Sequence, residues 1–527
     1  MKDFLKTQLR IRPWVATGVF FLIFLGIGLA AFQDYGVHWD EYNNQKFGRR
    51  WADYSATVLR TGSLDTPLPK YKRHDLTHGP AFEVFLSAVA DLFKLKDSRD
   101  VILMRHLCVF LLFYIGVGFF YLLCRKHFQS SWLALLGCIF LVLSPRIFAD
   151  AFYNSVDIPF LVFFIIGIFT LLNFLDKKTF LTAAAHALVC AILMNIRLMG
   201  LFLSFLSIIF FGLEVTRMPS VSDKMAGLRA FVGWLLLFGI LAVLFNPFLW
   251  TDPFGRLSVL VSSAVNFNKG PGVHYLGTHF TFGKMPWHYA LVWIPVSTPI
   301  MYEFLFLGGM TATVMSFFGS STVSYVAKRN SILFLSCFFL PLVVAAGKIY
   351  NGWRHIYFIY PFLLVLAIIG LQYMWEKSRL VVRAMLIIGV VFGLLDTAFF
   401  MIRNHPYQNL YFNRLAGGNP LEITERFELD YWGLSFRRAE EYILKTDKGA
   451  WIPLCFSQES LGQDYMAILP LEDRKRLSSQ PVRKAKYFLT NEMAKLSRPS
   501  GKEYYSITVD GMKIMTVYKL DHVQDEK

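Results

Sequence analysis

Charge is scarce in this chain. Asp, Glu, Lys and Arg make up 17% of its 527 residues, where a soluble domain carries about 25%. That deficit excludes a disordered protein, a coiled coil and an ordinary cytosolic enzyme. Cysteine is also scarce. Cys108, Cys124, Cys138, Cys190 and Cys337 lie in or beside apolar segments, and Cys455 lies in the C-terminal tail. There is no CxxC pair and no disulfide framework, so the thiols read as packing residues. No Walker loop, GxGxxG, GxSxG, HExxH or EF-hand pattern occurs. No internal repeat and no low-complexity stretch is present. The apolar part has no βαβ series, which excludes a nucleotide-sugar-binding fold there.

Apolar residues take the vacant share. They reach 55%, with 52 Phe and a mean hydropathy of +0.44, which specifies a multi-pass α-helical membrane protein. The first apolar run, Trp14 to Gln33, follows a basic N-terminus and has no small-residue cleavage site, so it reads as an uncleaved signal anchor. Further spans are predicted near 104–123, 131–147, 158–175, 180–196, 198–214, 229–248, 300–318, 331–347, 357–374 and 381–401. This makes about 11 transmembrane helices. Pro80–Leu95 is apolar but carries Glu83 and Asp91, and is expected to lie at the interface. Residues 1–402 form the membrane domain and 403–527 a small C-terminal α/β domain. In the latter, Ser435–Thr446 has helical spacing, Trp451–Phe456 and Lys486–Thr490 read as strands, and Asp510-Gly511 reads as a hairpin turn.

The tail from Arg403 holds 19 basic and 17 acidic residues, so almost all of the net +16 belongs to the membrane part. A nucleic-acid binder would show a basic soluble domain, so no nucleic acid is expected. Anionic membrane lipids or a lipid-linked phosphate fit better. The pairs Arg125-Lys126, Lys177-Lys178 and Lys328-Arg329 and the group Lys377/Arg379/Arg383 fall in alternate short loops. The positive-inside rule then puts the N-terminus in the cytoplasm. The 34–103, 146–157, 246–299 and 347–355 loops and the C-terminal domain lie on the other face.

Those outer loops hold the chemistry-bearing residues. Asp40 and Glu41 follow the first span as an adjacent acid pair, costly to desolvate at a membrane. Asp157 stands before Pro159 at the mouth of another span. Either Asp40 or Asp157 could instead be a helix cap. Two loops that place acids at one membrane depth can face one cavity. A carboxylate there can take a proton from an acceptor hydroxyl while a second orients it or holds a metal. Cations share the face: Arg73, His74 and His78, then Lys348, Arg354 and His355, then Lys269, His274, His279 and Lys284. Arg354-His355 opens a span among aromatics. Arg197, between two apolar runs, either snorkels to the interface or lines the cavity. The histidines lack compact ligand spacing, so any metal is unknown, and a divalent ion stays open.

Four features together resemble the GT-C glycosyltransferase superfamily in its family 39-like branch, the protein mannosyltransferase and aminoarabinose transferase relatives. They are His38-Trp-Asp40-Glu41, Asn154-Ser-Val-Asp157-Ile-Pro159, His78-Gly-Pro80, and Gly352-Trp-Arg354-His355 leading to Pro361. The resemblance covers about residues 1–400. It implies transfer of a sugar from a polyprenyl-phosphate donor, with inversion, to an extracytoplasmic acceptor such as a glycan, lipid or protein. It implies residence in a bacterial inner membrane. It implies Asp40, with Glu41 and Asp157, as the catalytic acids. Arg354, His355, Lys348, Arg197 and His78 are the expected donor-phosphate ligands. His78 departs from the Glu-Lys-Pro form of the aminoarabinose transferases. The rival reading is a multi-pass transporter or lipid flippase, which predicts inverted repeats and broken mid-membrane helices.

Overall fold

The structure is a computed structural model that describes residues 12–70, 76, 78–267, 270, 272–318, 324–458, 461–491 and 500–521. In hydrocarbon a chain must satisfy its own backbone polar groups, so the apolar runs become helices. They are α1 (Pro13–Ala31), with Pro at its first position, the polar α2 (Glu41–Thr61), α3 (Ala81–Leu92), α4 (Ser98–Phe128), α5 (Ser131–Val142), α6 (Pro145–Tyr153), α7 (Asp157–Lys177) and α8 (Phe180–Met194). Then come α9 (Leu201–Val215), α10 (Val221–Leu244), α11 (Pro253–Val265), the short hairpin β1–β2 (Val273–Tyr275, Thr278–Phe280) and α12 (Tyr289–Val296). The last apolar helices are α13 (Ile300–Phe318), α14 (Tyr325–Ala345), α15 (Tyr360–Lys377) and α16 (Leu380–Arg403).

Among the described residues, nine helices are long and apolar enough to cross a membrane, or ten if α5 and α6 count as one bent span. The expected span at 131–147 is this pair, which turns by 70° between Val142 and Pro145. Pro145 starts a new helix, and the Ser144 hydroxyl lies 2.7 Å from the Phe140 carbonyl and 2.9 Å from the Tyr360 hydroxyl, filling the break. The expected span at 180–196 is α8, a 15-residue helix. The 12-residue α3 is too short to cross.

After α16 the chain changes class. Helix α17 (Phe436–Thr446) packs on a five-stranded sheet of order β4-β3-β5-β7-β6. Its strands are β3 (Ile452–Phe456), β4 (Leu477–Ser479), β5 (Tyr487–Thr490), β6 (Gly501–Val509) and β7 (Met512–Leu520). β3 runs parallel to β4 and β5, while β7 is antiparallel to β5 and β6. Asp510 and Gly511, both with positive φ, make the β6–β7 turn where Asp-Gly was predicted to turn. One continuous apolar core joins Phe110 of α4, Ile165 of α7 and Leu364 of α15 to Leu454 and Val517 of the sheet.

Helices α13 and α15 meet backbone to backbone. A Cβ on Gly309 would collide with the Leu366 carbonyl, and one on Gly370 with that of Leu305. Small residues permit such an approach where no hydrophobic drive exists between lipid-solvated helices. Gly370→Val should therefore cost about 1–3 kcal/mol, the usual penalty for overpacking. Gly26→Ala, where a Cβ meets open space, should be neutral. Unfolding of both variants in detergent micelles measures the contrast.

Candidate active site

The loop ends at one end of the bundle converge on Asp157. Its position begins in the turn before α7. The Asn154 side-chain oxygen accepts the Asp157 N–H at 2.8 Å and the Val156 N–H at 3.3 Å. Asn154 thus does the capping that Asp157 could have done, and the Asp157 carboxylate is left for other partners. The Asn154 amide donates to Asp157 at 2.9 Å and to Asp150 at 3.0 Å, fixing both acids.

Two arginines meet this carboxylate. Arg354 Nη1 donates to Asp157 Oδ2 at 3.2 Å. Arg197 Nη2 stands 2.5 Å from Oδ1, a close ion pair whose angle is too poor for a hydrogen bond. Arg197 also donates weakly to the His355 carbonyl at 3.5 Å. All three side chains are buried. Buried Asp150, held by the same Asn154 amide, and partly exposed Asp40 are further anions beside the two arginines. Among the described residues, Arg354 Nε and Arg197 Nε find no hydrogen-bond partner.

Asp40 completes the group from the other side. It stands at the start of α2 with helical backbone angles and makes no side-chain cap. Its carboxylate is 43% exposed and lies 3.9 Å from Arg354 Nη2. The Asp40 N–H donates to His38 Nδ1 at 3.2 Å, which requires that nitrogen to be unprotonated. Burial lowers the His38 pKa, against the pull of Glu41 and Asp40, and so favours that neutral ring.

Glu41 lies in a different, buried network. Arg105 of α4 forms a two-pronged pair with Glu83 of α3 at 2.9 and 3.2 Å, donates to Ser155 at 3.2 Å, and lies 3.6 Å from Glu41. His106 is 3.4 Å from the other Glu41 oxygen. Burial pushes the Glu41 carboxyl up, but His106, His38 and Arg105 together hold it below its ordinary value. Glu41 neighbours Asp40, and Ser155 precedes Asp157 by two residues. The network therefore fixes the roots of both loops that carry the exposed and buried acids.

His78 pairs its backbone with Arg197, and Gly79 N–H donates to the Ile196 carbonyl at 2.9 Å. A Cβ on Gly79 would strike the Asn195 carbonyl, so glycine lets this loop lie against the α8 end and position Arg197. The His355 ring is tilted against that of Tyr350, with centres 4.5 Å apart. Lys348 is exposed, and no contact joins it to the cluster among the described residues. Arg73, His74 and Lys269 lie outside the described residues. His274 is turned to the Glu425 carbonyl, 2.6 Å away on the C-terminal side.

The C-terminal unit supplies residues to which sequence reasoning assigns no role in the site. The Trp432 ring centre is 4.4 Å from the Arg354 guanidinium carbon, and Tyr350 is 5.5 Å from it. His38 meets the Trp432 ring edge-on at 4.6 Å. Trp39 N–H donates to the Trp432 carbonyl at 3.3 Å. Asp430 holds this strap by accepting from Leu434 N–H at 3.1 Å and Ser435 N–H at 3.0 Å. A cation over indole gains about 0.5–2 kcal/mol, more as it is desolvated.

Among the described residues no group of three His, Cys, Asp or Glu side chains is placed to hold a metal. Glu41 is committed to Arg105 and His106, and Asp157 to two arginines. These residues do not fit a metal site, so no step is derived through one.

No protein family and no curated protein matches the chain. Similar solved structures include ArnT from Cupriavidus metallidurans in the apo state, at 13% identity and TM-score 0.49, over 95% of this chain and 98% of that one. ArnT bound to undecaprenyl phosphate matches at 12% and 0.46, over 97% and 100%. The Archaeoglobus fulgidus oligosaccharyltransferase matches at 12% and 0.45, over 86% of this chain and 62% of that one. The functional reading rests on the site itself.

Arg105→Met would strand two buried carboxylates, and breaking a buried pair in this way costs about 3–5 kcal/mol. A large drop in unfolding free energy is expected. The depressed Glu41 pKa adds stability that is complete above its ordinary value of 4.5. That contribution is lost as pH falls through the lower folded-state value. Glu41→Gln should flatten the acid limb of a melting-temperature profile, and an unchanged limb would refute this assignment.

Proposed function

We propose that the chain is a membrane glycosyltransferase that moves a sugar from a polyprenyl-phosphate donor to an extracytoplasmic hydroxyl acceptor, with inversion. The observation that carries this reading is the pair of buried guanidinium groups of Arg197 and Arg354 that share Asp157, each with an Nε that has no hydrogen-bond partner among the described residues, with partly exposed Asp40 beside them. Buried guanidinium groups with unused donors are costly, and they suit a place that receives an anion. A phosphate of a lipid-linked donor fits, since it can arrive through the bilayer and accept from planar guanidinium forks.

In this reading the acceptor oxygen attacks the anomeric carbon as its proton passes to Asp40. The bond from that carbon to the phosphate oxygen breaks, and the electron pair leaves with the lipid phosphate. Arg354 and Arg197 stabilise the growing negative charge where water is excluded. Asp157 holds both arginines in place. Attack opposite the leaving group in one step inverts the anomeric centre. His355 and His78 line the arginine side, and Lys348 serves as an outer contact for an incoming headgroup. Glu41 supports Asp40 through Arg105. The N-terminus is placed in the cytoplasm of a bacterium and the C-terminal domain outside its inner membrane. The alternating basic loops support that placement.

Asp40→Asn is nearly isosteric and should lower turnover by about 10²–10⁴, the worth of general-base help, while leaving thermal stability unchanged. The assay is transfer of radiolabelled sugar from polyprenyl phosphate by purified protein. A stable Asp40→Asn variant with near-normal turnover would sink the mechanism. Arg354→Lys keeps the charge but loses the fork, and should weaken donor binding more than acceptor binding. Equal donor affinity in wild type and Arg354→Ala would reduce Arg354 to a structural partner of Trp432.

A further inference from the structure

A second binding feature lies at the far end of the bundle from Asp157. There α5, α15 and α16 enclose a groove of about 280 Å³. Its walls are Leu133, Leu136, Leu371, Leu386 and Val390, with Trp132 and Trp375 among its lining side chains. Trp132 is the second residue of α5, and Trp375 stands in the last turn of α15. Tryptophans at helix ends mark the headgroup level of a bilayer.

One cation at this end is placed on a residue that lines the groove. Arg383 Nε donates to the Trp375 carbonyl at 2.9 Å, and its guanidinium lies 5.4 Å from the Trp375 ring centre. Arg379 is the extended residue just before α16, and on the helix Arg383, Ile387 and Val391 repeat every four residues, with Leu386 and Val390 beside them. Spacings of three and four put them on one helix face. At 1.5 Å per residue, the groove wall at Val390 lies roughly 10 Å deeper than Arg383. The stripe thus runs from cation to hydrocarbon along one line. Around it, Lys377, Arg379 and Arg383 face a single carboxylate, Glu376, which accepts from Gln372 at 2.8 Å.

We propose that this groove binds one acyl chain of an anionic diacyl phospholipid, with its phosphate at Arg383. A neutral lipid would fill the apolar wall equally well, but the cationic rim selects the anionic headgroup. The site is independent of the transfer reaction proposed above, and neither reading requires the other.

The test uses the full chain in nanodiscs of equal phosphatidylglycerol and phosphatidylcholine, with retained lipids counted by native mass spectrometry. The wild type should retain phosphatidylglycerol preferentially, by about fivefold per engaged cation, given about 1 kcal/mol for each Lys or Arg near the surface. Arg383→Gln should cut that preference about fivefold, the same per-cation worth. Val390→Trp fills the groove and should reduce the bound phosphatidylglycerol. Leu236→Trp, on an exposed face of α10, should not. Equal retention of the two lipids by the wild type would overturn the proposal. So would a folded Val390→Trp that binds as the wild type does. Should Val390→Trp fail to fold, Arg383→Gln decides alone, because Arg383 is only half-buried. Preferential retention of added undecaprenyl phosphate over phosphatidylglycerol would overturn the assignment to a diacyl lipid.

Discussion

The sharing of Asp157 between Arg197 and Arg354 is the constraint on which the rest of the structure depends. One carboxylate pairs directly with two guanidinium groups in a buried place, so the surrounding chain must hold the three together. Each neighbour contributes to this. Asn154 fixes the carboxylate, the glycine at 79 lets a loop press Arg197 inward, and Trp432 covers Arg354. A self-contained ion pair would need none of these supports.

A second ionic cluster pins the opposite end. Arg329 of α14 bonds Asp176 of α7 at 2.8 Å and Glu214 of α9 at 3.0 Å, while Lys126 of α4 also pairs with Asp176 at 2.6 Å. Helices α4 and α7 are therefore tied at both ends by charge, through Arg105 and Asp157 at one end and Lys126 and Asp176 at the other, and between them by apolar packing. Helices in lipid gain little from hydrophobic burial against one another, so these polar ties set their vertical register. That register brings the loop acids and arginines to a common depth.

Much of this was legible in the sequence because it is written in local patterns. Apolar runs mark the spans, and Asp40, Asp157, Arg197 and Arg354 each interrupt such a run or stand at its mouth. Their convergence follows from loops on one face. The 70° turn at Val142–Pro145 was not legible, since the apolar run passes through it and only Pro145 signals a break. Glu83 had looked like an obstacle to a span. Its reason is Arg105, a cation inside an apolar run whose rarity there was the available signal. Trp432 lies 78 residues beyond Arg354 in the C-terminal tail, and no spacing rule links the two. Glu41 shows the limit of adjacency, since neighbours at a helix start point to different partners.

The strap through Trp432 also dictates an order of assembly. Arg354, Asp157 and Asp40 belong to segments synthesised before the strap. While the ribosome is still making residues 404–435, the bundle can insert and pair its charges, yet Arg354 lacks its indole cover and His38 its ring partner. The C-terminal fold then holds that strap through Asn491, whose amide bonds the Asp430 carbonyl at 2.7 Å. The site is thus finished only late in translation. A chain that ends before Asn491 would lack the bond that holds the strap carrying Trp432 over Arg354.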